Sequence, residues 1–205
     1  MIVINFKNYA FGKDALRIAR KIEKYLPRAI IAVLDVDIEY LRKNTKLGIY
    51  AQHVDYEIGE KNTGFLTPDS LKKAGAKGSL LNHSEHKMEF EDIMKTTRIC
   101  KKLGLKLIIC SSSLFQARKI MKLKPYAIAF ESPELIGTGK SITKYRGKDV
   151  SSFSKMLKGK GIIALCGAGI NSKEDVLEAK RLGCNGVLIS SAVMKAKSDK
   201  LLKQL

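Results

Sequence analysis

Residues 73–82 read KAGAKGSLLN and residues 181–190 read RLGCNGVLIS. Both stretches run from the end of a predicted helix through a Gly-x-x-Gly turn into a short apolar strand. Glycine suits the residue that ends a helix, and a short apolar run bounded by a turn is typical of a buried strand. The repeated unit is therefore helix, turn, strand.

Eight short runs rich in Ile, Val, Leu and Ala occur along the whole chain. They lack a strict alternation of polar and apolar residues, as expected of strands buried on both faces of a parallel sheet. The runs lie at residues 2–6, 29–34, 47–52, 79–82, 105–110, 126–130, 161–166 and 186–190.

Between these runs, apolar residues recur at the three- and four-residue spacing of amphipathic helices, for example over 15–26 and 90–103. Thr67-Pro68 predicts a helix start with a cap and a first-turn proline, and Ser172 followed by Asp175 predicts a capping box. The predicted helix ends are Gly75, Gly104 and Gly183.

The alternation of strands and helices predicts an α/β fold, a closed parallel (β/α)8 barrel of the TIM-barrel type. We expect one domain over residues 1–205, because no change of composition marks a linker. At 205 residues the chain is short for this architecture, so some helices must be short or missing, most readily at 35–46. An open doubly wound sheet is the alternative, which periodicity does not exclude.

Charge and composition narrow the function classes. The chain has 38 Lys and Arg against 20 Asp and Glu, a net charge of +18, and most of the surplus falls in the second half. Such a surplus attracts nucleic acid, membrane phosphates or small anions, or else belongs to solvated helix faces. The four cysteines have no metal-site spacing, and no apolar run approaches the length of a membrane span, so we expect a soluble cytoplasmic protein without a bound metal.

Three polar residues stand out because they follow predicted strands, where barrels of this type place their chemistry. Lys7 is a candidate for binding an anion and stabilising negative charge on an oxygen. His83 is predicted at a helix start, whose positive end favours a neutral ring that donates a hydrogen bond. Glu131 follows an apolar run and is a candidate general base. The alternative for each is an ordinary solvated, salt-bridged or core position.

Loops of small residues follow the last three strands. Gly137 and Gly139 lie in a stretch that suits a lid closing over a phosphate, because glycine lets backbone N–H groups approach an anion. The segments 167–169 and 190–191 lie where such barrels bind phosphate among backbone N–H groups. Without the barrel, these segments are ordinary turns.

Five motifs, in this order along the chain, resemble those of the triosephosphate isomerases, especially the shortened archaeal form. The resemblance spans Asn5 to about Lys195. The motifs are NFK at 5–7, AQHVD at 51–55, NHSE at 82–85, ESPELIGTG at 131–139 and CGAGI at 166–170.

The resemblance implies interconversion of dihydroxyacetone phosphate and D-glyceraldehyde 3-phosphate, a step of glycolysis and gluconeogenesis, without metal or cofactor. It makes Glu131 the base, His83 the neutral electrophile, Lys7 the cation that stabilises the enediolate, and Asn5 a polar partner at the same oxygen. Glu85 becomes a supporting carboxylate paired with Lys7. The supporting and phosphate-binding positions that it further implies are Ser84, Gly137, Gly169, Ser190 and Ser191.

Thr63-Gly64 resembles the family loop that reaches into a neighbouring subunit, which implies a homodimer or homotetramer. Ser132 departs from the family, which usually has proline directly after the glutamate, and this implies a looser first hinge of the lid. Ser191-Ala192 stands where a glycine-containing pair is common, which implies a tighter or differently shaped approach of the backbone to phosphate.

Two other functions remain open at this stage. Another phosphate-binding barrel isomerase or epimerase would use the same glycine and serine loops. A nucleic-acid-binding protein would use the basic stretches 101–124 and 140–160, but these lack interleaved aromatic residues. We expect a small anionic substrate and no nucleic acid or membrane partner, and the positive surplus is expected to raise the encounter rate with a phosphate dianion.

Overall fold

A computed structural model of the chain describes residues 1–136 and 138–205. Eight parallel strands form a closed barrel in which each strand pairs with the next and β8 pairs with β1. The predicted closed barrel is confirmed, and the open sheet is excluded. The strands are β1 Ile2–Asn5, β2 Ile30–Val33, β3 Gly48–Ala51, β4 Gly78–Leu81, β5 Lys106–Ser111, β6 Ala127–Phe130, β7 Ile163–Cys166 and β8 Gly186–Ile189.

The helices surround the barrel and include several short ones, as the chain length predicts. At 35–46 the chain forms a 3-10 turn, Asp35–Asp37, and a helix of seven residues. The α-helices are α1 Gly12–Tyr25, α2 Ile38–Asn44, α3 Pro68–Ala74, α4 Phe90–Leu103, α5 Leu114–Met121, α6 Ile142–Tyr145, α7 Gly147–Leu157, α8 Lys173–Arg181, α9 Ser191–Met194 and α10 Lys200–Gln204.

Local signals set several helix ends where the sequence predicts them. The Thr67 side chain accepts a hydrogen bond from the amide of Ser70, and Ser172 and Asp175 form a reciprocal capping box. Gly75 and Gly104 end α3 and α4 in the left-handed conformation. The end of α8 differs slightly, because its last residue is Arg181, two positions before the predicted Gly183.

The core has two layers, which explains why the strands are apolar on both faces. The inner layer fills the barrel with side chains such as Val3, Leu80, Ile108 and Leu165. The outer layer lies between strands and helices and is much larger. Burial on both faces is the arrangement that a closed barrel requires.

The barrel has two differently built ends, which we define by their connections. The C-terminal rim joins strands to helices and comprises, among the described residues, 6–11, 34–37, 52–67, 82–89, 112–113, 131–136, 138–141, 167–172 and 190. The N-terminal rim joins helices to strands and comprises residues 26–29, 45–47, 75–77, 104–105, 122–126, 158–162 and 182–185. Within the part of the chain that the structure describes, no helix is long and apolar enough to cross a membrane.

Candidate active site

Lys7 follows β1, and its backbone has a φ of 45°, a left-handed conformation that residues other than glycine seldom adopt. Neighbours fix it on both sides: its amide donates to Asn5 Oδ1 at 2.9 Å, and Gln52 Nε2 donates to its carbonyl at 2.9 Å. Its Nζ lies 2.6 Å from Glu85 Oε1, which confirms the predicted pairing. The ammonium is therefore held in one place on the C-terminal rim.

His83 follows β4 through a left-handed residue, Asn82, whose φ is 56°. The Asn82 side chain donates to the carbonyl of Cys110 and accepts from the amide of Met88, so it joins β5 to the loop after β4. The predicted helix start at His83 is wrong, because the chain first makes a turn and α4 begins only at Phe90. The ring therefore does not depend on the positive end of that helix.

A hydrogen bond fixes the state of the His83 ring instead. The amide of Glu85 donates to His83 Nδ1 at 3.2 Å, so Nδ1 is an acceptor and carries no proton. The proton of a neutral ring then lies on Nε2, the atom that faces Glu131. The contact at Nδ1 thus directs an Nε2–H group towards Glu131, by a route that does not involve a helix start.

Glu131 follows β6, and its amide donates to the carbonyl of Ser111 at 2.9 Å. Its carboxylate is buried, and Oε2 lies 3.7 Å from His83 Nε2 without a hydrogen-bond partner among the described residues. Gly167 makes room for it, since a Cβ on that residue would lie 2.8 Å from Glu131 Oε1. Burial, with the charge of Glu131 as a second cause, raises the pKa of the Cys110 thiol, which therefore stays protonated beside the carboxylate.

The loops after β7 and β8 present free backbone N–H groups. Ala168 and Gly169 both have positive φ, at 71° and 68°, and a Cβ on Gly169 would lie 1.9 Å from the carbonyl oxygen of Lys140. In the described part of the chain, the amides of Gly169, Ser190 and Ser191 donate to no protein acceptor. Gly169, Ser190 and Ser191 are partly exposed and line one cavity, so their N–H groups are open to an anion.

The loop after β6 is held to the loop after β7. The amide of Ile142 donates to the carbonyl of Ala168 at 3.1 Å, and Asn171 Nδ2 donates to the carbonyls of Gly139 and Gly169 at 3.0 and 2.9 Å. Gly137, one of the predicted phosphate-binding residues, lies outside the described residues. Ile136, just before it, reaches the cavity wall.

A single cavity at the C-terminal rim brings most of the predicted site residues together. Those that line it are Asn5, Lys7, His83, Glu131, Gly169, Ser190 and Ser191. Glu85 lines an adjoining cavity on the other side of Lys7, and Ser84 lines neither. Thr63-Gly64 lies on an exposed loop of the same rim, away from the cavity.

Sequence reasoning missed several residues that shape this cavity. Tyr9, Ile136 and Asn171 line it, and Gln52 positions Lys7. Gln52 lies inside a recognised motif but has no role that residue type alone reveals. For Asn171 the sequence offers no signal, because its side chain contacts Gly139, which is 32 residues away in the chain.

Most of the basic surplus does not surround the cavity. Exposed bases occupy the N-terminal rim, whose residues include no Asp or Glu, while several helices carry acids in their first turns at the opposite end. The bases of this rim are Arg28, Lys46, Lys77, Lys122, Lys124, Lys158 and Lys160. A basic residue in the second half of the chain therefore does not necessarily lie near the cavity.

The cavity combines a buried carboxylate with a free oxygen, an imidazole N–H, an ammonium group and three free backbone amides. These groups suit acid–base chemistry on a small anionic substrate. Among residues 1–136 and 138–205, no cluster of three or more His, Cys, Asp or Glu side chains is arranged to hold a metal ion.

Comparisons with known proteins agree with this chemistry. The sequence model of the family described as triosephosphate isomerase matches residues 1–205. The triosephosphate isomerase of Metallosphaera sedula is 40% identical over 204 residues, which cover 96% of this chain and 90% of that protein. That of Saccharolobus solfataricus is 41% identical, with 96% and 90% covered, and that of Methanocaldococcus jannaschii is 38% identical, with 97% and 94% covered.

Proposed function

The chain belongs to the triosephosphate isomerase family and is an isomerase, and on that premise we propose that Glu131, His83 and Lys7 interconvert dihydroxyacetone phosphate and D-glyceraldehyde 3-phosphate. The reaction moves one proton between two adjacent carbons and a second proton between their oxygens, so that the carbonyl passes from one carbon to the other. It needs a base for the proton and a stabiliser for the charge that develops on oxygen.

Glu131 is the base in this proposal. Its free Oε2 takes the proton from the substrate carbon next to the carbonyl and returns it to the other carbon. A carboxylate whose oxygen has no protein partner is available for this transfer, and burial keeps water from competing for it.

His83 and Lys7 act on the oxygens. The Nε2–H of His83 donates to the carbonyl oxygen and so favours the enediolate that forms when the proton leaves. The Lys7 ammonium stabilises the negative charge of that enediolate, while its bond to Glu85 fixes its direction. Asn5 holds the turn in which Lys7 lies and borders the same cavity.

The phosphate group of the substrate binds to the amides of Gly169, Ser190 and Ser191. The three N–H groups lack acceptors within the described residues, and Ser190 Oγ is buried there without a partner. A phosphate would satisfy all of these groups at once.

The observation that carries the proposal is the approach of His83 Nε2 to the unpartnered Oε2 of Glu131, at 3.7 Å, in the cavity that also contains Lys7. Another phosphate-binding barrel isomerase or epimerase would need the amide loops but not this group of three side chains.

The test is a coupled assay in which glycerol-phosphate dehydrogenase follows the isomerisation of glyceraldehyde 3-phosphate. We expect turnover by the wild type and a loss of about 10²–10⁴-fold in kcat for Glu131→Gln. Glu91→Gln, an exposed carboxyl on α4, is the matched control and should retain wild-type activity. An inactive wild type overturns the function, and an active Glu131→Gln variant overturns the choice of base.

We also propose that residues 1–205 form one domain and that the Thr63-Gly64 loop contributes to a contact between subunits of a homodimer or homotetramer. Gly64 has a φ of 89°, and the exposed Phe65 beside it offers an apolar contact. Light scattering of the wild type and of Phe65→Asp should show an oligomer that dissociates in the variant. A monomeric wild type contradicts the proposal.

A further inference from the structure

The side chain of Arg146 reaches from the junction of α6 and α7 back to the start of the loop after β6. Its Nη1 donates to Glu134 Oε1 at 2.6 Å and to Ser132 Oγ at 3.2 Å, and its Nε donates to Asp149 Oδ2 at 2.5 Å. One guanidinium therefore joins the residue directly after Glu131 to the first turn of α7.

The backbone of Arg146 is well placed to act as an anchor. Its amide donates to the carbonyl of Ile142 at 2.8 Å, and its carbonyl accepts from the amide of Val150 at 3.0 Å. The residue thus ends one helix and begins the next, and the α7 side of its side chain is fixed by Asp149. The planar fork of arginine can hold several acceptors in one geometry.

The segment that Arg146 contacts forms a compact turn. Ser132 is fully buried, and the amide of Leu135 donates to its carbonyl to close the 3-10 turn Pro133–Leu135. The Ile136 side chain directly after this turn forms part of the cavity wall. The position of Ser132 therefore affects both the adjacent Glu131 and the wall that faces the substrate.

We propose that Arg146 is a positioning residue for the isomerisation, which acts through Ser132 and Glu134 to hold the base and the first turn of the loop in their working place. This inference rests on the proposed function. It also revises the expectation of a looser hinge at Ser132, because the serine hydroxyl supplies an acceptor that proline lacks.

In this proposal Arg146 fixes the position of Glu131 and of the turn after it, and contributes little to the global stability of the fold. The side chains of Arg146 and Glu134 are 38% and 59% exposed, and an ion pair between groups so exposed adds little to stability. A hydrogen bond with Ser132, and in addition the contact with Arg146, lower the pKa of Glu134, so that carboxylate stays charged at neutral pH.

Arg146→Met tests the proposal, with Arg181→Met as the matched control. Arg181 makes an exposed ion pair with Glu178 three residues earlier in α8, at 2.6 Å, and among the described residues it donates no hydrogen bond to Ser132, Glu134 or Asp149. We expect Arg146→Met to lower kcat/KM about tenfold, mainly through kcat, while both variants keep similar melting temperatures. Equal activity of the two variants overturns the proposal.

A second background separates action through Ser132 from other effects. Ser132 has a φ of −93°, close to the range of proline, and its amide donates no hydrogen bond within the described chain. Ser132→Pro therefore restricts the hinge covalently while it removes the Arg146 acceptor. In this background, Arg146→Met should cost less than about twofold in kcat/KM, and a full tenfold loss overturns the route through Ser132.

Hydrogen exchange gives a readout that does not depend on turnover. Peptides that cover residues 131–141 should exchange faster in Arg146→Met than in Arg181→Met or the wild type. Unchanged exchange overturns the inference. If exchange rises but the wild type does not isomerise triose phosphates, the contact is established and the proposed function fails.

Discussion

The two rims of the barrel differ in how often a residue other than glycine adopts the left-handed conformation. On the N-terminal rim such positions are mostly glycine, such as Gly75, Gly104 and Gly183, and Lys124 is the exception among the described residues. On the C-terminal rim glycines adopt it too, but so do Lys7, Asn82 and Ala168, despite the steric cost of a side chain, about 1 kcal/mol or more each.

The difference teaches where the fold accepts strain. Glycine relieves strain at a turn whose only task is to join a helix to a strand. Lys7 keeps a side chain because it carries the ammonium group, and Asn82 keeps one because it holds the turn before His83. Surrounding hydrogen bonds stabilise the unfavourable φ of both residues. Strained residues that are held by several contacts tend to cluster at functional sites.

The largest effect is expected when a functional side chain of the C-terminal rim is replaced. We expect His83→Gln to lower kcat by about 10²–10⁴-fold, because the substrate oxygen loses its hydrogen-bond donor. His86→Gln, on the same loop but outside the cavity that holds Glu131, should remain within about threefold of the wild type. Steady-state kinetics of both variants check this, and similar losses would contradict the assigned role.

Alanine at two glycines compares the rims directly. Gly167→Ala places a Cβ 2.8 Å from Glu131 Oε1, so the carboxylate must move, and we expect kcat/KM to fall about tenfold with little loss of stability. Gly104→Ala meets no neighbouring atoms but has a φ of 76°, so it should cost about 1 kcal/mol of unfolding free energy and leave activity intact. Kinetics and urea unfolding measure both, and a reversed pattern would break the comparison.

Acid should weaken the fold through His53, which lies on the C-terminal rim. Burial lowers the pKa of His53, an effect that the stacked His86 ring adds to and Asp55 opposes. The unfolded state therefore binds more protons, so the contribution is complete above the unfolded pKa of about 6.5 and declines as pH falls below it. Urea unfolding at several pH values should show a smaller decline for His53→Gln than for the wild type and for a Lys160→Gln control.

The smallest effect is expected from charge on the N-terminal rim. Replacing Lys122, Lys124, Lys158 and Lys160 with Gln should change kcat/KM by less than about 1.5-fold at low salt, because these bases lie at the end away from the cavity. A larger loss that disappears with added salt would show that the whole basic surface steers the substrate.

Strand positions, several helix ends and the placement of Lys7, His83 and Glu131 at one end of the barrel could be predicted, because each depends on a local pattern. Lys7, His83 and Glu131 all follow an apolar run, and the barrel places such residues at one end. The helix start at His83 was wrong because the turn that precedes α4 has no strong sequence signature. Arg146 and Asn171 could not be predicted, since their roles depend on contacts between loops that are distant in the chain.

Two buried oxygens in the cavity, Glu131 Oε2 and Ser190 Oγ, have no partner among the described residues. For inhibitor design they are two unused hydrogen-bonding positions. A compound that offers a donor to the carboxylate gains a charge-assisted hydrogen bond. A second polar group on the same compound, paired with the hydroxyl, fixes the orientation of the bound compound. The distance between these two groups of the inhibitor then matters most, since a rigid scaffold that reaches both oxygens binds with less loss of entropy than a flexible one.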